Sequence, residues 1–268
     1  MSEATVLLAQ ACSALEATAR RTADLLRSLP NLDAPVPGSE WTVQEAAVHL
    51  VSLAGISMDI AAGMPSPIGS MTKEVLRDQN ARRLGDIPQS DPEKVAGLLT
   101  EAVAGLLEAI ACRSADQAVV FHGGVTRDLA RLMCISLGEH LLHGYDIARA
   151  AGAPWPIDRG HALLVHSAYI RCYGSWLDER AASGLTAGFR IGLQGGDDFT
   201  VRFSAGECHV DPRDSGPVDC TIGADPVAYL LVQSGRMTQW DAIALGLYRI
   251  QGPAPELGLT FMDLFVYP

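Results

Sequence analysis

The sequence predicts a two-part protein: an α-helical bundle over residues 1–184, followed by a smaller α+β domain over residues 185–268. Three observations carry that reading. The first part holds four long stretches in which apolar residues recur at helical spacing. From Ala187 the period changes to strict alternation, as in Phe189, Ile191 and Leu193. Between the two, Gly184 to Gly188 is a short small-residue segment that suits a domain boundary.

The first helix is expected from about Thr5 to Leu29, with Leu8, Cys12, Leu15, Ala19, Leu25 and Leu29 near helical spacing and Pro30 as its stop. A Pro/Gly linker leads to Gly38. The second helix opens at Thr42, whose hydroxyl can cap free amides while Glu45 reaches back, a Ser/Thr-x-x-Glu capping box. Its apolar stripe runs Ala46, His49, Leu53, Ile56 and Ile60, so a histidine occupies the middle of the buried face. A polar helix is expected over Lys73 to Arg83. The third long helix begins near Ser90-Asp-Pro92, since Pro is favoured in a first turn, and carries Val95, Leu98, Leu99, Ala102, Leu106 and Ile110. The fourth, roughly Thr126 to Ala150, places Leu132, Ser136, Glu139, His143, Asp146 and Ala150 on one stripe and ends at Gly152 and Pro154. A connecting helix is read over Asp158 to Ser183.

In the second part, Phe199, Val201 and Phe203 alternate as a strand, and so do Val218, Cys220 and Ile222. Asp225-Pro226 reads as the cap and first turn of a helix that Gly235 ends, and Asp241 to Leu245 as another short helix.

Composition narrows the function classes. At 268 residues and 48% hydrophobic content the chain can bury an enzyme-sized core. A net charge of -11 with no Lys/Arg cluster excludes a phosphate-binding groove, so no nucleic-acid partner is expected. The six cysteines, at 12, 112, 134, 172, 208 and 220, show no CxxC spacing and read as reduced thiols of a cytosolic protein. No export signal is visible, and the most hydrophobic window, Ala46 to Met64, is broken by His49, Ser52 and Asp59, so no membrane association is expected.

The chemistry concentrates in two distant segments, Trp41-Thr-Val-Gln-Glu-Ala-Ala-Val-His49-Leu50 and Gly138-Glu139-His-Leu-Leu-His143-Gly-Tyr-Asp146. Glu139 and His143 lie one helical turn apart and project from one face, where they can hold a single ion. His49 would be the third ligand. Two imidazoles and one carboxylate leave a coordination position open, the arrangement of a working rather than a structural zinc site. The competing explanation is a plain Glu139–His143 ion pair across the turn, although an ionised carboxylate on an inner stripe costs several kcal/mol unless paired or coordinated. Asp146 can accept the free ring N–H of His143 or pair with Arg149 or Arg131. His140 points a quarter turn away, and His122, His161, His166 and His209 occur singly, as solvent-facing or locally hydrogen-bonded residues.

At these residues the chain resembles the DinB-like mycothiol-dependent maleylpyruvate isomerase family. The first segment matches W-T-V-x-D-x-A-x-H-L with Glu45 in place of Asp, and the second matches E-x-x-x-H-G-W-D-I/L-A with Tyr145 in place of Trp. Asp219-Cys-Thr-Ile-Gly-Ala-Asp225 and Leu230-Leu-Val-Gln-Ser-Gly235-Arg236 resemble the sterol-carrier-protein-like domain that often follows. The resemblance implies a DinB-like four-helix bundle followed by a sterol-carrier-like α+β domain. It also implies a divalent metal, usually zinc, held by His49, Glu139 and His143, and mycothiol as cofactor or cosubstrate. The expected activity is isomerisation of, or thiol transfer to, a small electrophilic substrate by a monomer or homodimer. Arg236 matches a Gly-Arg of the family's C-terminal domain and is the candidate cation for charge developing on the acceptor; its alternative role is to neutralise the end of its helix, and Arg202 is a weaker candidate. Two other classes stay open: a non-catalytic small-molecule carrier with a bracing metal, and a regulatory homologue that has lost metal affinity.

Overall fold

A computed structural model describes residues 1–69, 73–84 and 91–267, arranged as two compact units, Met1–Ile157 and Asp158–Pro268. The first unit is built on four long helices: α1 (Glu3–Arg27), α2 (Val43–Ala61), α4 (Pro92–Ile110) and α5 (Leu129–Ala150). A polar helix, α3 (Lys73–Leu84), stands between α2 and α4 in the chain. Helices α1 and α2 each pack on both α4 and α5, so the four close around one core.

Local chemistry sets the helix starts. Thr42 Oγ1 accepts from Glu45 N at 3.3 Å while Glu45 Oε2 accepts from Thr42 N at 2.7 Å, the reciprocal capping box read from the sequence. Asp91 caps α4 with Pro92 in the first turn, whereas Ser90 lies outside the described residues. Helix α5 starts later than expected. Thr126–Asp128 forms a strand, β2, paired antiparallel with β1 (Ala118–Val120), and Asp128 then caps α5 through Arg131 N at 2.8 Å. The buried face of α1 also differs from the expected stripe, since it is centred on Ala11, Ala14, Leu15, Thr18 and Thr22 rather than on Leu8, Cys12 and Leu25. Small residues let the neighbouring helices approach, and both threonine hydroxyls return hydrogen bonds to carbonyls one turn back, so they are buried without loss.

The second unit begins with α6 (Arg159–Tyr169), earlier than the boundary suggested by the change of period. This helix goes with the sheet-containing unit because it packs on α8 (Pro226–Gln233), where buried His166 donates from Nε2 to Pro226 O at 2.8 Å. The expected helix to Ser183 breaks early. After a 3-10 turn and the short α7 (Tyr173–Trp176), Leu177 turns extended and bridges Phe265, while Asp178 accepts from Arg180 N and Ala181 N.

The sheet has the order β5-β4-β3-β6-β7, with β3 (Ala187–Leu193), β4 (Asp198–Ser204), β5 (Glu207–Asp211), β6 (Cys220–Ala224) and β7 (Tyr248–Gln251). All pairs are antiparallel except β3 with β6, which run parallel with Ile191 opposite Ile222. Two short helices, α9 (Gln239–Ala244) and α10 (Glu256–Leu259), lie against β7 and β6 respectively. The core is aromatic: Phe189 packs on Phe261 with centroids 4.7 Å apart, and Tyr173 stacks on Phe265 at 4.3 Å. Among the described residues, no helix is long and apolar enough to cross a membrane. Among the described residues the six cysteines form no disulfide.

One glycine has a packing role next to the chemistry. A Cβ on Gly144, the residue after His143, would stand 2.3 Å from Trp155 Cζ2. The indole cannot easily yield, because the Arg21 guanidinium lies 3.8 Å above its ring and donates to Pro156 O at 2.8 Å. Overpacking of this kind costs about 1–3 kcal/mol, against about 1 kcal/mol of helix propensity gained by Ala over Gly. Gly144→Ala is therefore expected to lower the urea midpoint at unchanged m-value, and a midpoint at or above the wild type would refute this account of the glycine.

Candidate metal centre

Helices α2 and α5 carry the site. His49 is on the second turn of α2, whose start is fixed by the Thr42–Glu45 capping box, and Glu139 and His143 are one turn apart on α5. The two helices are tied by a hydrogen bond between Ser57 and Ser136 hydroxyls at 3.0 Å, and the same stripe of α5 that carries Ser136 carries Glu139 and His143.

The three side chains converge. One donor atom from each of His49, Glu139 and His143 lies within 4.8 Å of the other two. Glu139 Oε2 stands 3.6 Å from His143 Nε2 and 3.8 Å from His49 Nε2. These separations are too long for good hydrogen bonds. They approach the roughly 3.4 Å edge of a tetrahedron whose donors sit about 2.1 Å from a central ion. The donor set, two imidazole nitrogens and a carboxylate oxygen, suits a borderline-soft dication and leaves a fourth position for a further ligand.

Electrostatics agrees with the geometry. Burial by itself would push the Glu139 carboxyl up, but His143 and then His49 outweigh it and hold the group well below the ordinary carboxylate range. It is therefore an anion, ready to ligate. Burial pushes the neighbouring His140 down to about 3, with the Glu139 charge acting weakly in the opposite sense, so His140 is a neutral core residue at physiological pH.

Asp146 stands beside His143. Its Oδ2 lies 3.3 Å from His143 Nδ1, whereas Arg131 pairs with Asp128 and the Arg149 guanidinium sits 5.7 Å from the Tyr145 ring centroid. With an ion at Nε2, a carboxylate beside Nδ1 would favour the remaining His143 proton on Nδ1. His122 bonds to Ser66 and His166 to Pro226 O, in the local structural roles expected of them.

Trp41 is the feature that spacing did not indicate. Its indole centroid is 4.9 Å from that of His49 and 5.6 Å from that of His143, so one aromatic ring lies against both imidazoles. The available signal was an aromatic residue immediately before the cap of the histidine-bearing helix.

The second unit holds the remaining sequence candidates. Arg236 follows Gly235, whose φ of +69° closes α8, and its Nη1 donates to Ser234 O at 3.1 Å. That contact is the helix-terminus role. Arg202 grips both carboxylate oxygens of Asp214 and also donates to Pro217 O.

The fold is a helical bundle that carries a candidate metal site, followed by an α+β unit. Residues 15–148 match the family described as the mycothiol maleylpyruvate isomerase N-terminal domain, and residues 175–266 match the SCP-2 sterol transfer family. The chain belongs to the mycothiol maleylpyruvate isomerase family. The crystal structure of the mycothiol-dependent maleylpyruvate isomerase shares the fold, with a TM-score of 0.55 and 15% identity over 89% of this chain and 94% of that one. A histidine-to-alanine mutant of that enzyme matches with the same TM-score and identity over 89% of this chain and 93% of its own. No curated protein matches this sequence.

The role of Asp146 is directly measurable. Loss of an outer carboxylate partner typically weakens metal binding about 10- to 100-fold. Asp146→Asn should show that loss in a Zn2+ competition titration with a chromophoric chelator while keeping the wild-type circular dichroism spectrum. Unchanged affinity would show that the carboxylate does not orient His143.

Proposed function

We propose that the protein is a metal-dependent, mycothiol-using isomerase or thiol transferase acting on a small electrophilic substrate. The observation that carries the reading is the convergence of His49, Glu139 and His143, three donors from two helices with a fourth position left for a substrate atom. Family membership supplies the thiol.

A bound dication, taken to be Zn2+, would lower the pKa of a thiol and hold the thiolate as a nucleophile. The chain's own residues do the rest. With the ion in place, His49 and His143 would present neutral Nε2 atoms, Glu139 would supply one negative charge, and Asp146, 3.3 Å from Nδ1, would favour the His143 proton there. In the isomerase version the thiolate lone pair forms a C–S bond to one carbon of a cis alkene, and the π electrons move onto a conjugated carbonyl oxygen. The former double bond rotates, the enolate electrons return, and the C–S bond breaks to release thiolate and the trans product. In the transferase version the enolate is instead protonated at carbon, by the equivalent of the proton that the thiol gave up, and the neutral thioether adduct is released. Negative charge develops on the acceptor in both, and Arg236 is proposed as the cation that meets it.

The carrier alternative needs an apolar cavity against the sheet. Phe189, Phe203, Phe261 and Phe265 interlock there with centroids 4.7–6.3 Å apart, and this packing favours the enzymatic reading.

The test is metal analysis followed by turnover. The wild type should bind one Zn2+ and convert maleylpyruvate, or a related conjugated electrophile, only when mycothiol is present. His49→Ala and His143→Ala should lose the metal and at least about a hundredfold in kcat/KM. Arg236→Ala should keep the metal and lower kcat/KM alone. A metal-loaded wild type whose turnover and ligand spectrum ignore thiols would overturn the proposal.

A further inference from the structure

The thiol-using reading leaves open which protein surface the sulfur meets, and Trp41 answers it. We propose that the Trp41 indole is the thiol-contacting wall of the site, selecting a soft sulfur donor for the open position. The inference rests on the proposed function and goes beyond it by assigning a binding residue outside the ligand set.

Three observations support it. First, the indole lies against both candidate histidine ligands, at 4.9 and 5.6 Å between centroids, and the two imidazoles lie 4.9 Å from each other. Second, the ring is held by its own backbone. Trp41 O accepts from Val36 N at 2.8 Å, Trp41 N donates to Ser39 Oγ at 3.1 Å, and the adjacent Thr42 bridges Pro35 and caps α2. Third, the side chain is only partly buried, packing on the cluster that contains Leu32, Val36 and Leu50 while keeping some of its surface accessible.

The consequence follows from placement. His49 enters from α2, Glu139 and His143 enter from α5, and Asp146 stands behind His143. The partly exposed indole is a neighbour shared by both rings. Sulfur on the indole side of an ion held by these residues would lie within the roughly 5 Å reach of a sulfur–aromatic contact. Such contacts favour a polarisable sulfur over a hard oxygen donor.

The test uses the full chain loaded with Co2+, whose thiolate-to-metal charge-transfer absorption reports sulfur binding directly. Wild type, Trp41→Leu and Trp41→Phe are titrated with mycothiol and with 2-mercaptoethanol, and metal affinity and melting temperature are measured in parallel. Trp41→Leu should bind both thiols about two- to tenfold more weakly at saturating metal, with Trp41→Phe between it and the wild type. Equal thiol affinities in wild type and Trp41→Leu would overturn the inference. A loss confined to mycothiol would also overturn it, since the ring would then contact the body of the cofactor and not its sulfur. If Trp41→Leu fails to fold, Trp41→Phe decides alone, with an unchanged affinity counting against the proposal. Wild-type protein that shows no charge-transfer band with either thiol would instead defeat the thiol-using reading itself.

Discussion

The arrangement depends on keeping one carboxylate, that of Glu139, charged inside a helical bundle. An uncompensated anion there would cost several kcal/mol, enough to consume much of the stability of a domain this size. Without an ion, N–H donors or imidazolium charge on the two rings facing Glu139 Oε2 at 3.6 and 3.8 Å offset that cost and keep the group ionised, a role a bound cation would take over. The same contacts hold three donor atoms at spacings between a hydrogen bond and a shared ion. A sequence that fixed only a Glu–His pair on α5 would have no reason to bring His49 from another helix to the same oxygen.

Holding three atoms from two helices in register requires that neither helix slide or rotate. The capping box at Thr42 fixes where α2 begins, and with it the rotation that points His49 inward. The Ser57–Ser136 bond joins the helices beside the site, and Trp155 pressed against Gly144 fixes α5 immediately beyond His143. These contacts use polar or aromatic groups at defined angles, where a uniformly aliphatic interface would tolerate small slips. Rigidity near the ligands is what a preformed, partly open coordination sphere demands.

The sequence displayed the site more clearly than the fold around it. Glu139 and His143 were legible because a four-residue spacing on a helix has one geometric meaning, and Thr42 with Glu45 because a capping box is a local motif. The helix boundaries that went astray were decided by distant partners. Thr126–Asp128 pairs with Ala118–Val120, and Leu177 turns extended to meet Phe265, contacts that no local window contains. The edge strands β5 and β7 escaped notice because their alternation is weak, with Glu207, His209, Arg249 and Gln251 exposed at the sheet's rims. The face of α1 was misjudged because Ala and Thr, not Leu, allow its close packing. Trp41 stood within the quoted motif, yet its contact with two histidines depends on the Pro35–Thr42 bridge, which spacing does not reveal.

Charge also explains why this donor set suits a thiol. Two neutral imidazoles and one carboxylate would leave a bound dication with a net positive charge of about one, in a pocket where Glu139 and His143 are only 14–15% exposed at the side chain. A thiolate would cancel that charge, whereas a neutral oxygen ligand would leave it uncompensated in a poorly solvated place. Replacing Glu139 by a neutral donor would raise the excess to two and favour a hard, tightly held anion. Replacing a histidine by a second carboxylate would remove the excess and the reason for a thiolate to bind. The composition of the triad is therefore compatible with the proposed sulfur nucleophile, whose single negative charge would balance that of the bound ion. An aromatic wall of Trp41 beside that position adds a preference for polarisable sulfur without adding charge, which leaves the electrostatic balance set by Glu139 intact.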